Sequence, residues 1–153
     1  MRITFSRILT PAFMLCLFIT GCTTPYEKPK YAKTKFAFGQ MFYEGDGVDQ
    51  NIAEAFKWFE QAALQGHSAA QTMVGKMYLE GVQGAENRKN GIPFLERAAT
   101  NGHSEAQYHI GLLYHGGDLL PQNNESAIYW FRRSAKSGYQ PSVKFIQENY
   151  SNN

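Results

Sequence analysis

Apolar and aromatic residues recur along this chain in a pattern that repeats every 36 residues, and glycines carry the same period. Gly39, Gly75 and Gly111 stand 36 residues apart. The same offset relates further sets: Gly45, Gly81 and Gly117; Gly66, Gly102 and Gly138; Trp58, Phe94 and Trp130. A period of this length is the signature of a helical solenoid. The chain is therefore predicted to be all-α, an α-solenoid of three 36-residue helix-turn-helix repeats.

Each repeat contains two stretches with helical periodicity, which we call the A helix and the B helix. Apolar A-helix positions three and four residues apart share one face: Phe38, Val74 and Ile110; Met41, Met77 and Leu113; Phe42, Tyr78 and Tyr114. The B helix carries large apolar pairs that we expect to be buried: Trp58-Phe59, Phe94-Leu95 and Trp130-Phe131. Trp130 is expected to be among the positions most sensitive to truncation.

Residues that start and stop helices recur with the repeats. Ser68-x-x-Gln71 and Ser104-x-x-Gln107 predict capping boxes at the start of A helices. Asn51, Asn87 and Asn123 stand where a B helix needs an N-cap. Gly66, Gly102 and Gly138 stand where the B helix should end, because glycine tolerates the left-handed conformation found there.

The second repeat departs from this pattern at Pro93. A proline that deep would cost about 3 kcal/mol if the B helix began at Asn87 as in the other repeats. A start at Asn90 places Pro93 in the first turn, where no backbone hydrogen bond is lost. We therefore expect a shortened B helix and a longer preceding loop, from Gly81 to Lys89.

These residues resemble a known repeat family. The pattern A-x-x-x-[LIV]-G-x-x-Y-x-x-G, a capping residue, then A-x-x-W-[FY]-x-x-A-A-x-x-G is similar to that of Sel-one-like repeats (SLR), relatives of the tetratricopeptide repeat. The third copy matches it at Ala106, Ile110, Gly111, Tyr114, Gly117, Ala127, Trp130, Phe131, Ser134, Ala135 and Gly138. We place the repeats at 34–69, 70–105 and 106–139, followed by a capping helix at 140–150.

The N-terminus is predicted to be a lipoprotein signal peptide, residues 1–21. Arg2 and Arg7 precede an apolar stretch that is too short to span a membrane. Ile19-Thr20-Gly21-Cys22 resembles the lipobox of bacterial lipoproteins, which implies cleavage before Cys22 and lipidation of its thiol. The alternative is an ordinary cleaved signal with an incidental cysteine. Thr23 is not the aspartate that retains many lipoproteins in the inner membrane, so we expect an outer-membrane anchor that faces the periplasm.

The segment after the anchor is rich in proline and lysine and lacks apolar periodicity. Residues 22–33 are predicted to be a flexible, extended tether from lipidated Cys22. Its lysines could instead lean on anionic headgroups.

Charge and cysteine content narrow the function classes. The formal net charge of +2 equals the contribution of Arg2 and Arg7 in the signal, so the mature chain is close to neutral. This argues against nucleic-acid binding, which needs a concentrated basic surface. Cys16 leaves with the signal and Cys22 carries lipid, so the folded part must be stable without disulfides.

The sequence offers no convincing catalytic or metal site. His67 and His103 are repeat equivalents, with Tyr139 in the third repeat, and are interpreted as turn residues. His109 and His115 lie on different sides of one helix and cannot share a metal ion. The motifs HExxH, GxSxG and GxxxxGK[ST] do not occur. We therefore expect no enzyme activity, cofactor or small-molecule substrate.

Positions that differ between copies of the A helix are interpreted as free of the core and available for recognition. The predicted protein-binding residues are Phe36, Gln40, Tyr43, Lys76, Leu79, Tyr108, Leu112 and His115. The resemblance to tetratricopeptide-like stacks implies that the A helices line a concave groove. The alternative is that several of these side chains pack between adjacent A helices. The opposite, B-helix face, which includes Arg132 and Arg133, is expected to be solvated.

The resemblance implies a non-enzymatic lipoprotein that binds another protein in the periplasm or envelope. A recurring role of such SLR lipoproteins is immunity, the neutralising of a periplasmic toxin such as a type VI secretion lipase. An envelope adaptor for a sensor or assembly complex is an alternative. A β-lactamase-like cell-wall enzyme is a remote one, because this chain lacks the cysteine framework of the SLR proteins so annotated.

Overall fold

The computed structural model describes residues 28–150. They form seven α-helices and one 3-10 helix: α1 Lys28–Glu44, α2 Ile52–Leu64, α3 Ser68–Leu79, the 3-10 helix Ala85–Gly91, α4 Ile92–Thr100, α5 Ser104–Gly116, α6 Asn124–Lys136 and α7 Gln140–Tyr150. This part of the chain contains no strand, which confirms the all-α prediction. The predicted signal peptide 1–21 and Cys22 lie outside the described residues.

The helices stack in chain order. α1, α3, α5 and α7 correspond to the A helices, α2, α4 and α6 to the B helices, and each helix packs on its neighbours in the chain. Buried side chains form one cluster across α2 and α3, which includes Phe59 and Met77, and a second across α4 and α5, which includes Leu95 and Ile110. The predicted solenoid of helix-turn-helix repeats is confirmed.

One glycine in each of α1, α3 and α5 allows the B helix of the same repeat to approach closely. A Cβ atom on Gly75 would lie 2.5 Å from Cγ of Leu95, and a Cβ atom on Gly111 would lie 2.7 Å from Cε1 of Phe131. The same atom on Gly39 would overlap the ring of Phe59. Protein interiors are close-packed, so the B-helix side chain fills the space that a larger A-helix residue would need.

Only one member of each B-helix pair faces its glycine. The second members are 0% exposed: Phe59, Leu95 and Phe131. The first members are half-buried: Trp58, Phe94 and Trp130. The prediction that both members are buried is therefore wrong for the first members, because adjacent helical residues point about 100° apart.

Phe38 is also more exposed than predicted. Its repeat equivalents Val74 and Ile110 are 0% and 1% exposed, and each packs with side chains of the B helix before it. Within residues 28–150 no B helix precedes α1. Phe38 is consequently 40% exposed and lies against Trp58, with ring centroids 5.1 Å apart.

The N-caps of α3 and α5 are histidines, so the predicted capping boxes are wrong. His67 and His103 occupy the N-cap positions, and Ser68 and Ser104 are the first helical residues. Nδ1 of His67 accepts a hydrogen bond of 3.2 Å from the backbone N–H of Ala70.

The glutamines of the predicted boxes bind the preceding B helix instead. Gln71 and Gln107 are buried, and their side-chain amides donate to the carbonyl oxygens of Ala63 and Ala99 at 3.1 and 3.0 Å. The same two carbonyls also accept from the backbone N–H groups of Gly66 and Gly102, so each glutamine adds a second hydrogen bond and joins α3 to α2 or α5 to α4.

The predicted caps of two B helices are confirmed. Oδ1 of Asn51 accepts from the backbone N–H of Glu54 at 3.0 Å, and Oδ1 of Asn123 accepts from that of Ser126 at 2.9 Å. Just beyond the B helices the backbone turns through glycines with positive φ: Gly66 (88°), Gly102 (91°) and Gly138 (82°). No neighbouring atom would meet a Cβ there, so backbone conformation is the reason for glycine.

The second B helix is shortened, as Pro93 predicted. α4 has 9 residues, whereas α2 and α6 have 13 each. It begins at Ile92 rather than Asn90, with Pro93 in its first turn. The preceding segment is not all loop, because residues 85–91 form the 3-10 helix.

The first helix begins earlier than predicted. α1 starts at Lys28, so residues 28–33 of the predicted extended tether are helical. Ala32 is 2% exposed, and this burial explains why the helix continues into a segment that composition alone marks as linker.

The third junction is held by two buried serines where the earlier junctions have alanines. Ser134 and Ser142 replace Ala98 and Ala106 of the preceding repeat. The Ser142 hydroxyl donates to Oγ of Ser134 at 2.6 Å, and the Ser134 hydroxyl donates to the Ser104 carbonyl at 2.7 Å. α7 is thereby fixed to α6 by polar as well as apolar contacts.

Candidate protein-binding surface

The predicted binding residues lie on α1, α3 and α5, on what we call the A-helix surface. Gln40 is exposed, and the other seven are half-buried: Phe36, Tyr43, Lys76, Leu79, Tyr108, Leu112 and His115. Their partial burial means that most of them already serve the fold. What each contacts decides what remains for a partner.

One variable position, the same on α1, α3 and α5, contacts the N-cap residue of the next A helix. The pairs are 31 residues apart: Phe36 with His67, Thr72 with His103, and Tyr108 with Tyr139. The first pair stacks with ring centroids 4.6 Å apart. The second is a hydrogen bond of 2.9 Å between Oγ1 and Nδ1, and the third is a tilted ring contact at 5.5 Å. These positions are therefore not free of the packing, and the alternative that they pack between A helices is correct for them.

An ion pair joins α3 to α5 at the centre of the surface. Nζ of Lys76 lies 2.6 Å from Oε1 of Glu105, with the two side chains 26% and 29% exposed. Burial lowers the pKa of Lys76, but the hydrogen bond and the charge of Glu105 outweigh it, so the pKa is raised. Nε2 of His109 is 3.9 Å from the same carboxylate oxygen.

Burial keeps the histidines near this ion pair neutral at physiological pH. It lowers the pKa of His109 to about 4, with a further contribution from the charge of Lys76. Burial is also the largest cause that lowers the pKa of His103 and of His67. At neutral pH His109 is therefore uncharged and adds no charge to the ion pair of Lys76 and Glu105.

Another variable position, held by Tyr43, Leu79 and His115, also makes intramolecular contacts. Nδ1 of His115 lies 2.9 Å from the hydroxyl oxygen of Tyr150 in α7. Leu79 packs against the α4–α5 cluster, and the Tyr43 ring lies 6.1 Å from that of Phe59. Gln40, which is exposed, and Leu112, which is half-buried, are accordingly the predicted residues best placed to meet a partner.

A second cluster lies on the outer face of α6, where only solvated charge was expected. Tyr129 is 53% exposed and meets Trp130 edge to face, with ring centroids 5.1 Å apart. The Arg133 guanidinium carbon lies 5.7 Å from the Tyr129 centroid and 5.4 Å from that of Trp130. Nη1 of Arg133 also donates to the Tyr129 hydroxyl at 3.0 Å. The sequence signal was the aromatic residue at a position held by Lys57 and Pro93 in the other repeats.

Within residues 28–150, no group of three or more His, Cys, Asp or Glu side chains is close enough to hold a metal ion. None of the helices in this range has the length and apolar character needed to cross a membrane.

The segments of the chain that match a known family agree closely with the repeat boundaries. The family model described as Sel1 repeat matches residues 36–67, 68–103 and 104–139. The three matches are consecutive and run from α1 to the end of the turn after α6. No curated protein sequence matches the chain significantly.

Two solved structures share the fold. One is a protective antigen present in uropathogenic Escherichia coli strains that displays an SLR fold, with a TM-score of 0.73 and 29% identity over 79% of this chain. The chain spans only 26% of the antigen's length. The other is a Sel1 repeat protein from Oxalobacter formigenes, with a TM-score of 0.67 and 30% identity over 76% of this chain and 88% of that protein.

Proposed function

Because this chain belongs to the Sel1-repeat family, whose repeats form helical scaffolds for protein–protein interaction, we propose that its A-helix surface binds another protein. The family is generally non-catalytic, and the proposed role is binding alone. Gln40, Lys76 and Leu112 are the residues through which contact is made. The other predicted residues act by holding successive A helices in register.

The observation that carries this proposal is the partly desolvated ion pair of Lys76 and Glu105. About three quarters of each side chain is already covered, so a partner that buries the pair removes little further hydration. Leu112 occupies the position on α5 that is equivalent to that of Lys76 on α3, and its half-buried side chain offers apolar area to a partner.

Site-specific photo-crosslinking in the cell that makes the protein tests this proposal. A photoreactive amino acid at Gln40 or Leu112 should give a covalent adduct that mass spectrometry identifies as one protein. The matched control is the same amino acid at Gln61, which is exposed on the other side, in α2. An adduct from Gln61 with none from Gln40 and Leu112 would show that a B-helix face binds the partner and would contradict the proposal.

We propose that the scaffold is located in the bacterial envelope, where it is anchored through lipid on Cys22 and faces the periplasm. Substitution of Cys22 tests this location. Cys22→Ala should abolish incorporation of labelled palmitate and leave the signal uncut. Release of unlipidated wild-type protein by osmotic shock would contradict an anchor. The support is the lipobox-like Ile19-Thr20-Gly21-Cys22.

Within this role we propose an immunity protein that neutralises a toxin delivered to the periplasm. The support is the resemblance to Sel-one-like repeat lipoproteins, among which immunity is a recurring role. Co-expression with a periplasmic toxin encoded next to its gene should restore growth, and Leu112→Asp should remove the rescue. Adducts that contain an envelope sensor or assembly protein, with no rescue from any neighbouring toxin, would favour the adaptor role instead.

A further inference from the structure

We propose that the outer face of α6 is a second docking surface, which binds an acidic segment of a partner protein. This α6 face consists of Ile128, Tyr129, Arg132, Arg133 and Lys136, with Glu125 at its N-terminal end. These residues line a groove of about 470 Å³. The α6 face is separate from the A-helix surface. Its test therefore does not depend on whether the A-helix surface binds a partner.

In the part of the chain with described side chains, three cations of the α6 face have no carboxylate within 4.0 Å: Arg132, Arg133 and Lys136. Lys57, Lys76 and Arg88, by contrast, each lie within 4.0 Å of a carboxylate. Against the single carboxylate of Glu125 the three cations leave the α6 face positive. The complementary partner therefore presents carboxylates.

The central cation is held in place before any partner arrives. Arg133 is positioned over Tyr129 and Trp130 and donates to the Tyr129 hydroxyl at 3.0 Å. The hydroxyl accepts this bond and keeps its own proton to donate to a carboxylate. A side chain that is already ordered loses less conformational entropy on binding. Tyr, Trp and Arg are also the residue types most enriched at the energetic centres of interfaces.

The fold does not require these residues, because the other repeats build the same helix without them. Position 129 corresponds to Lys57 and Pro93, and position 132 corresponds to Glu60 and Glu96, which have the opposite charge to Arg132. Only the third repeat combines an exposed aromatic ring with this cluster of cations. Unlike most of the variable positions of the A helices, Tyr129 and Arg132 are exposed.

A polypeptide fits this face better than a membrane surface does. The cations border a groove lined by Ile128 and Tyr129, which accepts an apolar side chain between flanking carboxylates. Arginine binds a carboxylate through two parallel hydrogen bonds, which gives direction as well as attraction. A lipid headgroup layer would present charge without a side chain to enter the groove.

Fluorescence anisotropy with a labelled Glu-rich peptide that has a central Phe-Leu pair tests the proposal. The wild-type repeat domain should bind it, and the double variant Arg132→Gln, Arg133→Gln should weaken binding about tenfold or more. Tyr129→Ala should weaken it too. The matched control is Arg97→Gln, which removes the repeat equivalent of Arg133 on α4 and should bind like wild type. Circular dichroism establishes that each variant keeps its helices.

Two observations locate the binding. The indole N–H signal of Trp130 in a ¹⁵N–¹H spectrum should shift on addition of the peptide, and that of Trp58 should not. The same peptide with lysine in place of glutamate should not bind. Equal binding by the double variant, equal loss in Arg97→Gln, or equal binding of the lysine peptide would overturn the proposal. Binding to phosphatidylglycerol vesicles without binding to the acidic peptide would also overturn it and assign the face to lipid.

Discussion

The ring of Phe131 fills the space beside Gly111 so completely that a Cβ atom on this glycine would lie 2.7 Å from Cε1 of the ring. We expect Gly111→Ala to lower the free energy of unfolding by about 1–3 kcal/mol, because the fully buried ring cannot move away without overpacking its neighbours. Urea unfolding followed by circular dichroism measures this effect.

Gly116 provides the matched control on the same helix. No atom lies within 4 Å of a Cβ built there, and its φ is not positive. Gly116→Ala should therefore be neutral or stabilise by up to about 1 kcal/mol, because alanine restricts the unfolded chain more than glycine does. Equal destabilisation by both changes would show that loss of glycine itself, and not contact with Phe131, is the cause.

The structure indicates that truncation of Phe131 costs more stability than truncation of its neighbour Trp130, which the sequence marks as sensitive. Phe131→Ala should lower the free energy of unfolding by about 3–5 kcal/mol, because the ring is 0% exposed. Trp130→Ala should lower it less, since the indole is half-buried and part of its contact is with Arg133 at the surface. Thermal melting of the two variants compares them directly, and a larger loss in Trp130→Ala would contradict the packing described here.

The serine pair at the last junction predicts an asymmetric mutant cycle. Ser134→Ala should lower the free energy of unfolding by about 1–3 kcal/mol, because it leaves the buried Ser142 hydroxyl without its acceptor. Ser142→Ala should have a smaller effect, since Ser134 still donates to the Ser104 carbonyl. The double variant should recover stability relative to Ser134→Ala, because it recreates the alanine pair of the preceding junction. Additive effects in urea unfolding would argue against a coupled pair.

Stability should fall when the pH drops below neutral. The pKa of His109 is lowered from 6.5 to about 4, so between these values the unfolded chain binds more protons than the folded one. The free energy of unfolding therefore decreases as the pH falls through this window, by about 3 kcal/mol at most for this residue. His67 and His103, whose pKa values are also lowered, act in the same direction.

His109→Gln isolates the contribution of that one side chain. Glutamine cannot be protonated, so urea unfolding between neutral pH and about pH 4 should depend less on pH than in the wild type. An unchanged pH dependence would mean that His109 titrates normally in the folded protein.

The repeat fold could be predicted from the sequence because the residues that determine its packing occur three times along the chain. Gly39, Gly75 and Gly111 recur because a buried B-helix side chain fills the space beside each of them. Pro93 predicts the exception, which is the shortened B helix of the second repeat. The binding surface was harder to predict. Variation between repeats suggested freedom at Tyr108, yet this ring contacts Tyr139, a residue that varies at the same time. When both residues of a contact between repeats vary, their residue types do not recur from repeat to repeat. The sequence alone therefore does not show the contact, and the structure does.

The contacts between repeats also bear on how three similar units find the correct neighbours. Misassembly between similar units is a characteristic failure of repeat proteins. Phe36 stacks on His67, and Thr72 forms a hydrogen bond with His103. If α5 took the place of α3 beside α1, the phenyl ring would again meet a histidine, but the hydrogen bond between Thr72 and His103 would be lost. The Thr72 contact thus favours the order in which the second repeat stands between the first and the third.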